Sequence, residues 1–372
     1  MIGTILLFLL VLSILVFVHE FGHFVTAKKA GMKVEEFGFG FPPRLWGVKR
    51  GDTVYSINWI PLGGFVKIKG ESGDQAHDPD SFASKPAWKR FIVLIAGVAM
   101  NFLLAGVLLS IGLMVGLPTV VGDDVSPRAR VSEEVVHVAS VLSESPAARA
   151  GVQGGDTLVS IDGTVFTSSD EARAYIRSHS ESDVSLSLKR GEGEYVTAIM
   201  RAEPLSEAGT VGVGVGLVTT ALISYPWYEA LVQGFVLAGL LTWEVLRAFG
   251  QLLSNLVVHQ TIAVDLAGPV GIAVMTGEAA KLGFTYLLQF AAVLSINLAI
   301  VNVLPFPALD GGRILFLLIE KIRRRPVNER IEAVVHNLGF GLLMALVLLV
   351  TYRDIVRFSG DFLSNVKNFA GG

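Results

Sequence analysis

Two histidines and a glutamate near the start of the chain have the types and spacing of a metal-dependent hydrolase. His19 and His23 are four residues apart in His19-Glu20-Phe-Gly-His23, so on a helix both imidazoles face one side and can bind the same ion. Glu20 would stand beside that ion as a general base that takes a proton from water. The simpler alternative is an interfacial histidine pair at a helix end, but such a cluster at the end of a membrane span is costly without a function.

A catalytic zinc site needs a third protein ligand, and a second motif offers a carboxylate for it. Asp310 ends an uncharged run in the segment Asn302-Val-Leu-Pro-Phe-Pro-Ala-Leu-Asp310-Gly-Gly. The chain has no cysteine, so His, Asp or Glu must hold any transition metal. The alternative for Asp310 is a helix cap. The prolines free backbone groups inside a span, which a site for an extended peptide requires.

The composition is that of a membrane protein. Of the 372 residues, 52% are hydrophobic and only 17% are charged, against about 25% in soluble domains. The mean hydropathy is +0.57. A net charge of −3 gives no basis for a nucleic-acid partner. Without cysteine, disulfides and cysteine nucleophiles are excluded.

Four stretches are predicted to span the bilayer because each is long enough for its roughly 30 Å hydrocarbon core. They are Met1–Val18, Phe91–Gly122, Leu282–Leu309 and, with only His336 titratable below the tyrosine range, Ala333–Tyr352. Basic residues between them predict the cytosolic side. These residues are Lys28, Lys29, Lys33, Arg44, Lys49 and Arg50, then Lys85, Lys89 and Arg90, and finally Lys321, Arg323, Arg324, Arg325 and Arg330. The segment from about Asp123 to Tyr225 is then extracytosolic.

A fifth hydrophobic stretch, Tyr228–Val258, does not fit this alternation. It carries Glu244, Arg247, Gln251 and Asn255 at helical spacing, which form one polar stripe. We interpret it as an amphipathic helix on the outer membrane surface. The alternative is a fifth span.

The cytosolic loop between the first two spans has the pattern of a β-hairpin. Apolar residues alternate in Thr53–Ile60 and in Phe65–Ile68 on both sides of Pro61-Leu-Gly-Gly64, which predicts a turn at the glycines. The extracytosolic segment reads as a small α+β domain, with strands at Val135–Val141, Val184–Leu188 and Tyr195–Ile199 and a helix at Ser169–Ser178.

With these motifs in place, the sequence resembles the site-2 protease family of intramembrane zinc metalloproteases, in particular the bacterial regulator-of-sigma-E protease type. The resemblance runs in order along nearly the whole chain. Besides the two metal motifs, it is carried by Gly38-Phe-Gly40, Pro61-Leu-Gly-Gly-Phe-Val-Lys67, Asn101-Phe102, Ser145-Pro-Ala-Ala-Arg-Ala-Gly151 and Gly268-Pro-Val-Gly271.

The resemblance implies roles for individual residues. His19, His23 and Asp310 would bind one Zn²⁺ per chain, with Glu20 as the general base. The residues expected to contact substrate are Asn302, Pro305, Gly63, Gly64 and Phe65. For Asn302 the alternative is a helix–helix hydrogen bond. The outer segment resembles a circularly permuted PDZ domain, whose carboxylate-binding loop would comprise Gly212, Val213, Gly214 and Val215.

Two departures from the family pattern stand out. Val98 occupies a position where the family usually has proline, and the outer segment has room for one PDZ domain where some relatives carry two. The expected fold is a mainly α-helical membrane protein with about four transmembrane helices, a membrane-associated β-hairpin and one PDZ domain. The expected segments are 1–26 (first span), 27–89 (loop and hairpin), 90–121 (second span), 122–220 (PDZ domain), 221–281 (interfacial helix and connecting loop), 282–318 (third span), 319–332 (basic loop) and 333–372 (fourth span and tail).

The expected function is regulated intramembrane proteolysis in the bacterial cytoplasmic (inner) membrane. The resemblance implies a single-span substrate such as an anti-sigma factor, trimmed beforehand by an upstream site-1 protease. The main rival is a non-proteolytic membrane scaffold with structural zinc, for which Glu20 would be unnecessary. A metal transporter is disfavoured because no metal-rich loop leads to the site.

Overall fold

The computed structural model describes residues 2–71, 75, 77–121, 126–191, 193–205, 210–255, 258, 267–325 and 327–370. The chain divides into two compact units. The helical unit comprises Met1–Ile111 and Leu231–Gly372, and the sheet unit comprises Gly112–Ala230.

Long apolar helices form most of the helical unit. In chain order the helices of the described chain that lie wholly or mainly in the helical unit are α1 (Ile2–Lys29), α2 (Ala87–Val115), α5 (Trp227–Ser254), α6 (Pro269–Leu282), α7 (Phe284–Val303), α8 (Asp310–Arg323) and α9 (Glu329–Ala370). Five segments of the described chain are long and apolar enough to cross a membrane: Gly3–Lys29, Ala87–Val115, Trp227–Leu252, Phe284–Val303 and Arg330–Arg357. The protein is thus a membrane protein, and α5 meets the length and composition of a span.

Glycine on α1 allows α1 and α2 to approach closely. A Cβ added at Gly22 would lie 2.5 Å from the carbonyl oxygen of Ala96 and 2.7 Å from Cγ of Met100. Small residues at such crossings let membrane helices pack backbone against backbone. This close approach brings the face of α1 that carries the histidines against α2.

The β unit between α1 and α2 is built from two long strands, β1 (Val34–Arg50) and β2 (Thr53–Ile68). Their turn is at Gly51-Asp52, because Arg50 pairs with Thr53. The prediction of a turn at Pro61–Gly64 was therefore wrong. The two halves of β2 do not pair with each other, since the 34–39 stretch of β1 lies between them: Phe37 pairs with Tyr55 on one side and with Val66 on the other.

Helix α6 was not predicted from the sequence, where only connecting loop was expected at 267–281. Proline at its first position and glycine as its N-cap residue are ordinary start signals. The helix packs against α1, α7 and α9. Asp354 on α9 is buried and accepts a 2.7 Å hydrogen bond from the backbone N–H of Gly271 in the first turn of α6. A side chain of α9 therefore caps the N-terminus of α6.

The predicted break in the third hydrophobic segment is present between α7 and α8. The linker turns sharply, with Ala308 at a φ of 80°. Gly311 and Gly312 then pack against the backbone that precedes them: added Cβ atoms would lie 2.2 Å from the carbonyl oxygen of Val303 and 2.4 Å from that of Phe306. Only glycine fits at such distances, so the packing of the linker requires both glycines after Asp310.

The sheet unit is wider than the predicted 122–220 segment. Its main sheet has six strands in the order β3-β10-β4-β5-β6-β7. The strands are β3 (Leu117–Val120), β4 (Arg130–Val141), β5 (Thr157–Ile161), β6 (Asp183–Arg190), β7 (Glu194–Arg201) and β10 (Val215–Ser224); β8 (Glu203–Leu205) pairs with β9 (Thr210–Gly212). Helices α3 (Pro146–Arg149) and α4 (Ser169–Ser178) complete the unit.

One buried ion pair stabilises the sheet unit internally. The side chain of Asp156 is 1% exposed and accepts bonds of 2.8 Å from Nε and from Nη2 of Arg190. It also accepts a 2.9 Å bond from the backbone N–H of Gln153. These donors hold the pKa of Asp156 below its usual range, with the hydrogen bond from Arg190 as the main cause of the lowering.

Candidate metal centre

Three side chains that can bind a metal converge at one point of the helical unit. Nε2 of His19 lies 3.1 Å from Nε2 of His23 and 3.0 Å from Oδ2 of Asp310, while His23 Nε2 lies 3.3 Å from the same oxygen. The histidines are one turn apart on α1, and Asp310 is the first residue of α8. The predicted grouping of these residues is therefore present.

This donor set fits a zinc ion. Both imidazoles are buried, with each residue 6% exposed, and one candidate ligand atom from each of the three residues lies within 4.8 Å of the others. Nitrogen and oxygen lone pairs that face one another at about 3 Å require a cation or a shared proton between them. Two histidines and a carboxylate are a common protein ligand set at catalytic zinc sites.

Helix α2 supports the histidines from behind. Nδ1 of His23 donates to the backbone oxygen of Val93 at 2.7 Å, and Nδ1 of His19 lies 3.2 Å from the side-chain amide of Asn101. Between them, Gly97 faces both rings: an added Cβ would lie 2.4 Å from His23 Nε2 and 2.6 Å from His19 Cε1. Val93, Gly97 and Asn101 are thus spaced four residues apart along α2. Val93 contacts His23, Asn101 contacts His19, and Gly97 faces both rings.

These roles on α2 were not predicted from the sequence. In the sequence, Asn101 stands out only through the family resemblance, and nothing assigns a role to Gly97. A glycine and an asparagine four residues apart in an apolar span are a weak signal. The backbone carbonyl of Val93 leaves no signal in the sequence at all.

Glu20 is placed beside the cluster and is oriented by the β unit. Its Oε2 accepts a 3.1 Å hydrogen bond from the backbone N–H of Val66 on β2. One side of β2 at Val66 is paired with Phe37 of β1. The Val66 N–H points to the other side, the outer edge of β2, where it meets Glu20. Strand and carboxylate therefore meet at the metal centre.

A cavity of about 260 Å³ opens next to these residues. Its lining is Val16, His19, Glu20, Leu298, Asn302, Ala308, Leu309 and Asp310. Asn302, in the last turn of α7, thus shares the cavity with Glu20, and its contact with a substrate stays a prediction. Pro305 is exposed in the linker after α7 and is not one of the lining residues.

The predicted substrate-binding glycines lie against α1, a turn or more before the histidines. Gly63 has a φ of 71° and an added Cβ would lie 2.6 Å from Cγ1 of Val16. Ser13 holds this bend, since its hydroxyl donates to the oxygen of Pro61 at 2.9 Å and accepts from Gly63 N–H at 3.3 Å. Gly64 and Phe65 follow on β2, opposite Phe39 and Gly38 of β1.

Two ion pairs fix α8, the helix that begins with Asp310. Arg313 pairs with Glu71, just after β2. Glu320 pairs with Arg90 of α2 at 2.8 Å. The carboxylate of the metal cluster is thereby tied to the β unit and to α2.

The predicted carboxylate-binding loop lies between β9 and β10 of the sheet unit. Backbone oxygens of Val213 and Gly214 accept bonds of 3.0 and 2.9 Å from the N–H groups of Ala147 and Leu142. Gly214 has a φ of 79°. Beyond this loop, Arg173 of α4 donates to the backbone oxygen of Leu217 on β10.

Comparison with known proteins identifies relatives that match nearly the whole chain. The family model described as Peptidase family M50 matches residues 7–346. A Clostridium perfringens protein, provisionally named a zinc metalloprotease, is 38% identical over 349 residues, which cover 94% of this chain and 97% of the relative. The regulator of sigma-W protease RasP of Bacillus subtilis is 31% identical over 438 residues, covering 96% of this chain and 99% of RasP.

Among solved structures, the PDZ domain of an SdrC-like protein from Listeria monocytogenes is similar to part of the chain. The match has 32% sequence identity and a TM-score of 0.21, and it covers 24% of this chain and 92% of the Listeria chain.

Proposed function

Since this chain belongs to peptidase family M50 and is a zinc metalloprotease, we propose that it hydrolyses peptide bonds within or near the transmembrane segments of single-span membrane proteins. The site-2 protease resemblance read from the sequence is thereby confirmed at the level of the family. The observation that carries the proposal is the convergence of His19, His23 and Asp310 beside a cavity that Glu20 also lines, among membrane-length helices.

In this proposal His19, His23 and Asp310 hold one zinc ion. Zinc supplies a Lewis acid that polarises a carbonyl oxygen and makes water acidic enough to act as a nucleophile near neutral pH. Glu20 takes the proton of the attacking water and passes it to the leaving amine. The Val66 N–H holds the carboxylate in place for both transfers.

The substrate is positioned by residues on two sides of the cavity. The outer edge of β2 at 64–68 accepts the unwound substrate as an added strand through main-chain groups other than the Val66 N–H, which is bonded to Glu20. These main-chain hydrogen bonds fix the register of the substrate. The amide of Asn302 on the opposite side donates to the substrate carbonyl, where negative charge develops. The position of Glu20 against Val66, on this same edge, supports the assignment because it brings the strand within reach of the base.

The name of the Bacillus subtilis relative, regulator of sigma-W protease, supports a membrane-bound regulator of a sigma factor as substrate class. An anti-sigma factor already shortened by an upstream site-1 protease fits this class. The protein would act in the bacterial cytoplasmic (inner) membrane, with no nucleic-acid partner.

The direct test uses purified full-length protein in liposomes with single-span substrates whose outer domains have been removed. We expect cleavage inside or beside the apolar segment, located by mass spectrometry of the products. A zinc chelator should abolish it, and added Zn²⁺ should restore it. Cleavage that persists with zinc removed, or products cut only in soluble segments, would overturn the proposal.

We also propose that the metal centre faces the cytosolic side, that the sheet unit is extracytosolic and that α5 lies in the outer interface. Introduced cysteines test this because the chain has none. An impermeant reagent should label Ser180→Cys from outside but leave Asp52→Cys unlabelled. Labelling of Arg324→Cys from outside would show that α5 crosses the membrane.

For the sheet unit we propose a PDZ-type filter that excludes substrates with bulky outer domains. Leu117 pairs with Ile223, so β3 through β10 can be replaced by a short linker between adjacent chain ends. The deletion should still cut a trimmed substrate and should now also cut the untrimmed one. If a folded, zinc-loaded deletion cuts neither, the unit delivers substrates and the filter proposal fails.

A further inference from the structure

Asn101 on α2 is a buried polar residue that the mechanism above does not use. The residue is 0% exposed and does not line the cavity, so it cannot touch a substrate there. Its Nδ2 lies 3.2 Å from Nδ1 of His19. Its backbone oxygen accepts a 2.8 Å bond from the hydroxyl of Ser295 on α7. A role of the Asn101 side chain in the site therefore runs through its contact with His19.

The hydrogen-bond partners of the amide reveal a conflict. With Nδ2 toward His19, the buried Oδ1 of Asn101 has no donor among the residues that the structure describes. In that orientation Nδ1 of His19 must accept, which puts the ring hydrogen of a neutral imidazole on Nε2. Yet Nε2 is the atom that faces His23 and Asp310. A nitrogen that binds a metal carries no hydrogen.

Exchanging the two ends of the amide removes the conflict at His19. Amide oxygen and nitrogen have nearly the same shape, and hydrogen-bond partners decide between them. With Oδ1 toward His19, Nδ1–H has an acceptor and Nε2 is free for the ion. Metal-bound histidines usually donate their other N–H to a carboxylate or a carbonyl in this way.

His23 provides an independent precedent within the same site. Its Nδ1 lies 2.7 Å from the backbone oxygen of Val93, and a backbone oxygen can only accept. The ring hydrogen of neutral His23 is therefore on Nδ1 and its Nε2 is free. Val93 and Asn101 are eight residues apart on α2, with Gly97 against both rings midway, so the same helix supports both histidines.

We infer that Asn101 is a positioning residue whose side-chain oxygen accepts the Nδ1–H of His19 and so fixes the tautomer and ring orientation that bind zinc. The inference rests on His19, His23 and Asp310 being the zinc ligands. Loss of a supporting acceptor of this kind typically weakens metal binding by about 10- to 100-fold.

Two substitutions of nearly equal size separate acceptor from donor. Asn101→Leu removes the polar end and should raise the zinc dissociation constant about 10- to 100-fold. Asn101→Asp keeps an acceptor but cannot donate when ionised, and it should bind zinc at least as tightly as the wild type. Ser295→Ala is the matched control, since it removes the bond to the backbone of Asn101 and leaves the amide unchanged.

The readout is zinc affinity of the purified full-length protein, measured by competition with a chromophoric chelator, with the visible absorption of bound Co²⁺ as a second probe of ligand geometry. His19→Ala serves as the reference for a lost ligand. If wild-type protein binds no more zinc than His19→Ala, the ligand assignment fails, and with it the proposed active site.

If the wild type binds zinc, the variants decide on Asn101 alone. Tight zinc binding and an unchanged Co²⁺ spectrum in folded Asn101→Leu would overturn the inference. So would a loss in Asn101→Asp as large as that in His19→Ala. Should Asn101→Leu fail to fold, Asn101→Ala replaces it as the variant without an acceptor, with the same expected loss of zinc affinity, and unchanged affinity in folded Asn101→Ala would overturn the inference.

Discussion

Oε2 of Glu20 accepts a 3.1 Å hydrogen bond from the backbone N–H of Val66. The base and the strand proposed to hold the substrate are therefore joined by a main-chain contact. Any shift of β2 relative to α1 moves the carboxylate as well. The β unit thus has two roles in this account: it presents an edge for the substrate and it orients the base.

Replacing the Val66 N–H without removing β2 tests this second role. Val66→Pro deletes the donor at a strand edge, where proline is tolerated, and should lower kcat while zinc content stays complete. A hydrogen bond to a charged group contributes about 1.5–3 kcal/mol, which corresponds to roughly a 10- to 100-fold loss. Val66→Thr keeps the N–H and the branched shape, so it should remain close to wild type. Equal activity of both variants would show that the contact is dispensable.

Gly97→Ala should abolish zinc binding because its Cβ would lie 2.4 Å from His23 Nε2. Helix propensity alone favours alanine over glycine by about 1 kcal/mol. A loss of zinc in Gly97→Ala would therefore come from steric displacement of the two histidine rings and not from a weaker helix. Gly250→Ala on α5 is the control, since its Cβ would meet nothing within 4 Å. Zinc content by elemental analysis should fall in the first variant only; full occupancy in Gly97→Ala would contradict the described packing.

The sequence predicted the grouping of His19, His23 and Asp310 better than it predicted the elements around them. The spacing of His19 and His23 on a helix is a local property, and Asp310 could be matched to it because both motifs end uncharged runs on the same predicted side. The break between α7 and α8 was likewise predicted from the prolines in the 302–310 segment.

Features that depend on tertiary contacts were missed. The two strands of the β unit turn at Gly51-Asp52, and the 34–39 stretch of β1 lies between the two halves of β2. No local sequence pattern encodes the placement of this stretch between them. Helix α6 has fewer residues than a span needs and is held by neighbours, among them Asp354. Gly97 and Asn101 gain their roles only when α2 packs on α1.

The Asp156–Arg190 pair predicts a pH-dependent stability of the sheet unit. The pKa of Asp156 is lowered in the folded state, so its contribution is complete above its unfolded pKa of about 3.9 and is lost as the pH falls through the folded value. Asp156→Ala should destabilise the unit by about 1.5–3 kcal/mol at pH 7, because the Arg190 guanidinium and the Gln153 N–H lose a charged hydrogen-bond acceptor. The deficit relative to wild type should shrink as the pH falls below about 4.

Limited proteolysis of the full-length protein at a series of temperatures measures this difference. Asp170→Ala is the matched control, since Asp170 also pairs with an arginine but its side chain is 85% exposed. Surface pairs of this kind contribute about 0–1 kcal/mol. Equal effects of the two substitutions would show that burial of Asp156 has no energetic consequence.

The central claim is that the zinc centre performs catalysis with Glu20 as the base, and Glu20→Gln tests it most directly. Glutamine keeps the size of the side chain, and Glu20 is not among the three clustered ligands, so the variant should retain one zinc per chain. Cleavage of a trimmed single-span substrate should fall by about 10²- to 10⁴-fold or more, since general-base catalysis is lost. A zinc-loaded Glu20→Gln protein that cleaves at the wild-type rate would contradict the account and would favour a zinc ion with a structural role.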